Sequence, residues 1–132
     1  MAKLVTIKNN LDEPVCIADI NREAIENLIK SASLCRQIEA IILFGSSLEE
    51  QCTDKSDIDI AIIHPKGVEY LDKLKSFRKL MDALYDYDME KQYDRLYFKS
   101  IQFIEDHKDT IPICGEIYHK GKLIYQKKNE VV

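Results

Sequence analysis

The chain has 132 residues, of which 45% are apolar and 32% charged, a composition typical of a folded domain rather than a disordered segment. Its 19 basic and 23 acidic side chains give a formal net charge of -4, which disfavours a broad cationic surface for a nucleic-acid backbone. The N-terminus lacks an apolar targeting segment, and no run approaches the roughly 20 apolar residues that span a bilayer. We therefore expect a single cytoplasmic domain, residues 1–132, without membrane contact.

The cysteines and histidines are scattered along the chain. Cys16, Cys35, Cys52 and Cys114 form no CxxC pair, and no histidine follows at zinc-finger spacing. We interpret the cysteines as reduced structural thiols and assign no ligand role to any histidine.

The N-terminal stretch shows no clear pattern, but the segment after it has helical periodicity. Asp19 or Asn21 can cap a helix whose apolar residues recur at helical spacing and that should end near Cys35. Two continuous apolar runs follow, Ala40–Phe44 and Asp57–Ile63. Their length and composition predict two central strands that are covered on both faces.

The second half of the chain continues to alternate between helices and strands. Apolar residues at helical spacing predict one long amphipathic helix from Val68 to Tyr85. Further on, the pattern predicts a strand at Tyr93–Phe98, a short helix from Ile101, a helix from Pro112 and an edge strand over residues 123–125. Gly121 is well placed to end the last helix in a left-handed conformation.

Two aspartates stand at the start of the second apolar run. Side chains alternate along a strand, so Asp57 and Asp59 should project to the same face. Two ionised carboxylates side by side repel, and a hard divalent cation such as Mg²⁺ would neutralise them. The pair therefore indicates either a metal site or a solvated strand end or helix cap.

A Gly-Ser pair closes the first apolar run and favours the metal interpretation. Gly45 lets the backbone approach a ligand, and Ser46 can offer its hydroxyl and its N–H to a phosphate. Ten residues separate Ser46 from Asp57, so a phosphate-binding turn would face the carboxylate pair across two neighbouring strands.

The stretch LFGSSLEEQCTDKSDIDIAII resembles the signature of the DNA polymerase beta-like nucleotidyltransferases, in which Gly-Ser precedes Asp-x-Asp by about ten residues. The chain is also similar in length to the minimal nucleotidyltransferases, the small members of this superfamily, and EIYHKGKLIYQ resembles their C-terminal helix, turn and strand. The resemblance covers about residues 20 to 126.

This resemblance implies an α+β fold, with a mixed twisted sheet flanked by helices, and a two-metal transfer of a nucleoside monophosphate. Asp57, Asp59 and Asp94 would be the catalytic residues and the ligands of two Mg²⁺ or Mn²⁺ ions. The nucleotide, expected to be ATP, would contact the remaining residues of the motif, Gly45, Ser46, Ser47 and Lys55.

Asp94 is the proposed third acid because it lies at the start of a strand that follows the long helix. The alternative is an exposed Asp94–Arg95 pair without a catalytic role. Asp86 and Asp88 are weaker candidates for the third acid, since both lie in an apparent loop.

The acceptor of the nucleotide is left open by the motif. Many small members carry Arg or Lys just after Gly-Ser, whereas Ser47-Leu48-Glu49-Glu50 follow here. For minimal nucleotidyltransferases the family implies a HEPN-domain toxin as partner, modified on a tyrosine by the nucleotidyltransferase acting as antitoxin. The alternatives are transfer to a small molecule such as an aminoglycoside, and a degenerate binding subunit without activity.

Overall fold

A computed structural model describes residues 2–66 and 68–128, with the backbone alone for Val68 and Asp72. The strands, numbered in chain order, are β1 Leu4–Lys8, β2 Pro14–Ala18, β3 Ala40–Phe44, β4 Ile58–Ile63, β5 Tyr93–Phe98 and β6 Lys122–Gln126. The helices are α1 Arg22–Ser31, α2 Val68–Asp72, α3 Lys75–Tyr87, α4 Ile101–Asp106 and α5 Pro112–Lys120. None of these helices is both long and apolar enough to cross a membrane.

The two apolar runs form the centre of a four-stranded sheet with the order β5-β4-β3-β6. β3 is antiparallel to β4 and β6, whereas β4 and β5 are parallel. Every residue of β3 is buried, and β4 is buried except at half-buried Asp59. The structure therefore confirms a mixed sheet with two central strands and with the C-terminal strand at an edge.

Strand alternation gives the sheet two apolar faces. One face packs against α1 and α3 and includes Ile41, Leu43, Ile58, Ile60 and Ile62. The other packs against α4 and α5 and includes Ala40, Ile42, Phe44, Ala61 and Ile63. Asp59 alternates with the second set, so its side chain is on the same face as α5.

The long helix expected from Val68 to Tyr85 is in fact two helices, α2 and α3. Leu74 lies between them in an extended conformation, with φ -84° and ψ 131°. Its N–H still bonds the carbonyl of Leu71 at 2.9 Å, and its side chain still packs on the core. The helical spacing of the apolar residues thus continues across the break, and no Gly or Pro at the break indicates it in the sequence. The side chain of Val68, which was expected on the same face, lies outside the described residues.

The unassigned N-terminal stretch is a β-hairpin. β1 and β2 pair antiparallel, and Ile7, Val15 and Ile17 pack into the core on the face of the sheet that α1 and α3 cover. Asn9 shapes the turn, because its Oδ1 accepts hydrogen bonds from the backbone N–H groups of Leu11 and Glu13 at 2.8 and 3.0 Å.

The start of α1 corrects the expected capping. Asn21 precedes the helix, but its side chain makes no capping hydrogen bond. Asp19 instead accepts a bond from the N–H of Lys3 at 3.1 Å, which ties the hairpin to this corner. The helix ends at Ser31 and is continued by a 3₁₀ turn, Ala32–Leu34, up to the expected boundary at Cys35.

Gly121 ends α5 as expected, but not in a left-handed conformation. Its φ of -63° and ψ of 150° are open to any residue, and its N–H bonds the carbonyl of Ile117 at 2.9 Å. Glycine is needed here for space: a Cβ would collide with the Ile117 carbonyl oxygen and lie 2.8 Å from Cγ2 of Ile42.

We expect Gly121→Ala to lower the free energy of unfolding by roughly 1–3 kcal/mol, the usual cost of forcing extra atoms into a packed site. Urea unfolding measures the change, with Lys122→Ala at the neighbouring exposed position as the control. Equal midpoints for Gly121→Ala and wild type would show that the contact with α5 is not tight.

Candidate active site

Gly45 begins a tight 3₁₀ turn, Gly45–Leu48, directly after β3. Its φ is +74°, a value that L side chains rarely adopt. A Cβ here would collide with Oδ2 of Asp59 and lie 3.1 Å from that residue's Cγ. Backbone conformation and space therefore both require glycine, and they bring the turn against the Asp59 carboxylate.

Asp59 and Asp94 lie side by side on neighbouring strands. Asp59 of β4 is in register with Phe44 of β3 on one side and with Asp94 of β5 on the other. Because β4 and β5 are parallel, both side chains project from the same face and near the same end of the sheet. The structure thus brings together Gly45, Asp59 and Asp94 as the sequence predicted.

The environment of Asp59 is strongly negative. The pKa of this carboxyl is raised from 3.8 to about 6, most of all by burial, and also by the charges of Asp94, Asp57 and Glu116 and a side-chain hydrogen bond with Asp94. A carboxylate in such surroundings resists ionisation unless a cation is added. The site is therefore electrostatically prepared for a positive charge.

A pocket of about 470 Å³ opens beside the two aspartates. Phe44, Leu96 and Ile113 provide apolar walls, and Glu116 of α5 adds a further carboxylate. Sequence reasoning missed Glu116, because its position depends on how α5 packs across the sheet, where it contacts β3. The only available signal was its place beside the buried Ile117 in the helix.

The neighbours of Asp94 argue against a simple surface ion pair. Arg95 points to the opposite face of the sheet, where its Nη1 donates to Sδ of Met81 at 2.8 Å. Arg22–Glu26 is the one salt bridge within the described residues. The alternative of an Asp94–Arg95 pair is therefore not what the structure contains.

The remaining acidic candidates differ in position. Asp57 is exposed immediately before β4, close enough to Asp59 to affect its pKa. Asp86 was expected in a loop but belongs to α3, and Asp88 follows that helix and accepts a hydrogen bond from the N–H of Glu90 at 3.0 Å. Neither lines the pocket that contains Asp94.

The buried side chain of Asn21 holds the turn that contains Gly45 and Ser46 in place. This side chain is fully buried and donates to Oγ of Ser47 at 3.2 Å and to Sγ of Cys52 at 3.3 Å. Ser47 is itself fully buried and its hydroxyl accepts this bond, so neither its hydroxyl nor its N–H is open to the predicted nucleotide in this structure. Ser46 is half-buried at the turn. The sequence predicted that Asn21 would cap α1, and it gave no sign that this side chain would bond the turn after β3.

The loop before Asp57 contains Lys55, the cation predicted to contact the nucleotide, and it is contacted by a second cation, Lys91. Lys55 is exposed, and its backbone N–H bonds Oγ1 of Thr53 at 3.3 Å. Lys91 is buried just before β5, and its Nζ lies 3.5 Å from the carbonyl oxygen of Asp54. Lys91, which sequence reasoning did not select, thus links this loop to the strand that carries Asp94.

The carboxylates of Asp59 and Asp94 suit a hard metal ion whose remaining ligands come from a bound substrate. No group of three or more His, Cys, Asp or Glu side chains in the described residues is arranged to hold a metal ion alone. Mg²⁺ in phosphoryl-transfer sites is typically held by one or two carboxylates, with phosphate oxygens and water completing the shell. Asp59 and Asp94 fit that requirement.

Comparison with known protein families agrees with this geometry. The model of the family described as Polymerase beta, Nucleotidyltransferase matches residues 23–130, most of the chain. A comparison with curated proteins finds no match. The chain therefore belongs to the polymerase beta-like nucleotidyltransferase family, and its α+β fold, with a mixed sheet flanked by helices, is consistent with that membership.

We expect Asp59→Asn to stabilise the metal-free protein at neutral pH, because the amide removes a charge that burial and the neighbouring acids penalise. The raised pKa means that ionised Asp59 begins to cost folding free energy above pH 3.8 and costs the full amount above about 6. In EDTA the variant should melt above wild type at about pH 7.5, and the difference should vanish towards about pH 4.

Asp109→Asn, an equal charge change at an exposed position, is the control and should leave the melting temperature nearly unchanged. A lower melting temperature for Asp59→Asn at neutral pH would mean that the carboxylate is not under electrostatic stress.

Proposed function

We propose that the protein is a metal-dependent nucleotidyltransferase that moves AMP from ATP to a hydroxyl group, and that this acceptor is a tyrosine of a HEPN-type toxin. The main support is the placement of Asp59 and Asp94 in register on adjacent strands beside the left-handed turn at Gly45. Family membership supports the class of reaction, and the acceptor and the nucleotide are our proposals.

In the proposed reaction the acceptor oxygen attacks the α-phosphorus of ATP. A bond from that oxygen to phosphorus forms, the bond between the α-phosphorus and its bridging oxygen breaks, and pyrophosphate leaves. Two Mg²⁺ or Mn²⁺ ions, when bound, would neutralise the triphosphate and stabilise the charge that develops on the transferred group. Asp57, Asp59 and Asp94 would hold them, and one of these carboxylates or Glu116 would take the acceptor's proton.

The turn after β3 supplies the proposed contacts with the triphosphate. Gly45 has no side chain between its backbone and Asp59, so phosphate oxygens can approach both. Ser46 is half-buried and offers a hydroxyl and an N–H, whereas Ser47 is buried with its hydroxyl bonded to Asn21, so the proposed contact with Ser47 requires the turn to open. Lys55 is exposed on the adjoining loop and is the proposed cation for the terminal phosphates.

The acceptor side favours a macromolecule over a small molecule. The pocket beside Asp94 is open, and Leu96 on its wall is 36% exposed. Ile101 and Phe103 of α4 are also exposed, at 45% and 40%, with Phe103 against Phe98 of β5 at a ring separation of 6.1 Å. A protein partner would cover this apolar surface and complete the pocket, whereas an aminoglycoside would leave it in water.

The direct test is incubation of the protein with ATP labelled at the α-phosphate, Mg²⁺ and the candidate toxin. We expect label on a tyrosine of the toxin and none on kanamycin. Labelled kanamycin beside an unlabelled toxin would instead establish the small-molecule activity. No transfer to either, together with no binding of ATP in Mg²⁺, would indicate a degenerate binding subunit.

Asp94→Asn separates binding from chemistry in the same assay. The amide keeps size and hydrogen bonding but removes the charge proposed to hold the acceptor-side metal, so single-turnover transfer should fall by several orders of magnitude while Mg-ATP still binds. Asp88→Asn, an equal change outside the pocket, is the control. Near-wild-type transfer by Asp94→Asn would remove Asp94 from the proposed site.

A further inference from the structure

A second concave site lies at the opposite end of the sheet from the aspartates. This basic groove has a volume of about 550 Å³ and is lined by Lys30, Ser33, Arg36, Tyr125, Lys127 and Lys128, among others. The end of β6 forms one wall of the groove, and it lies next to the start of β3, where Ala40 pairs with Gln126. Phe44 pairs with Asp59 at the other end of β3, about 13 Å away at the usual rise per residue.

The charge of the groove contrasts with that of the chain. Four cations come from three separate segments, and no described lining residue is acidic. None of the four takes part in the salt bridge that the described residues contain, Arg22–Glu26. Four cations on one concavity with no salt bridge to another described residue are unusual in a chain with a net charge of -4, since they repel one another.

The backbone around these cations is held in place. Asn10 of the hairpin turn forms two hydrogen bonds with Gln126, one to its carbonyl oxygen at 2.6 Å and one from its N–H at 2.8 Å. The N–H of Lys127 donates to the carbonyl oxygen of Glu39 at 2.8 Å. These bonds fix the backbone at the end of β6, from which Lys127 extends.

We propose that the basic groove binds a small ligand with two or more linked phosphate groups. The volume is that of a small-molecule site, and an arginine among lysines can combine paired hydrogen bonds to one phosphate with point charges near the next. Tyr125 is only 5% exposed and offers no open ring for base stacking, which disfavours single-stranded RNA. This site is independent of the proposed transfer reaction, because it needs no metal and shares no lining residue with the aspartate pocket.

The test is calorimetry with inorganic triphosphate in EDTA at low salt, where the aspartate site has no cation to attract an anion. We expect binding to wild type and to Asp59→Asn alike, and weakening of at least about tenfold in the double variant Arg36→Ala/Lys127→Ala. Lys79→Ala/Lys99→Ala removes two charges from exposed positions elsewhere and should change affinity less than about twofold. Affinity should also fall steeply as salt is raised.

Two further ligands define what the groove recognises. ATP in EDTA with the affinity of triphosphate would assign recognition to the phosphate chain, and tighter ATP binding would add the nucleoside; both support the proposal. Absence of triphosphate binding, equal losses in the two double variants, or binding of a single-stranded RNA oligomer alone would overturn it. If Arg36→Ala/Lys127→Ala does not fold, Lys127→Gln/Lys128→Gln at exposed positions repeats the comparison.

Discussion

The close approach of the Gly45 backbone to the Asp59 carboxylate is the constraint on which the site depends. It requires a residue with a left-handed backbone conformation and no Cβ directly after β3. It also places the Asp59 carboxylate beside the end of β3, where Phe44 pairs with Asp59. Asp94 reaches this point because β5 is parallel to β4 and in register with it. Asn21 then supports the turn from within the core through the Ser47 hydroxyl.

The same arrangement costs stability. Burial and the carboxylates gathered at the end of the sheet together raise the pKa of Asp59 to about 6, so ionised Asp59 carries a cost that a cation would relieve. A site that only maintained the fold would not require this. Such a cost in stability is common where proteins concentrate charge for chemistry, and it agrees with the role proposed for Asp59.

Much of this site was predictable from the sequence because it depends on short-range patterns. The two apolar runs predicted β3 and β4, period-two alternation predicted the face of Asp59, and Asp94 was selected by its place at the start of the strand after the long helix. Glu116 and Lys91 were not predictable, since packing between distant segments brings Glu116 to the pocket and Lys91 to the loop before Asp57. The break at Leu74 was hidden by apolar spacing that continues across it, and Gly121 proved to be needed for space rather than for a left-handed φ.

The most direct test of the central claim is a crystal structure with Mn²⁺ and a non-hydrolysable ATP analogue, with manganese located by its anomalous scattering. We predict manganese bound by Asp59 and Asp94, and the triphosphate against the Gly45–Ser46 turn. An analogue bound elsewhere, with Asp59 and Asp94 still sharing a hydrogen bond and no manganese between them, would contradict it.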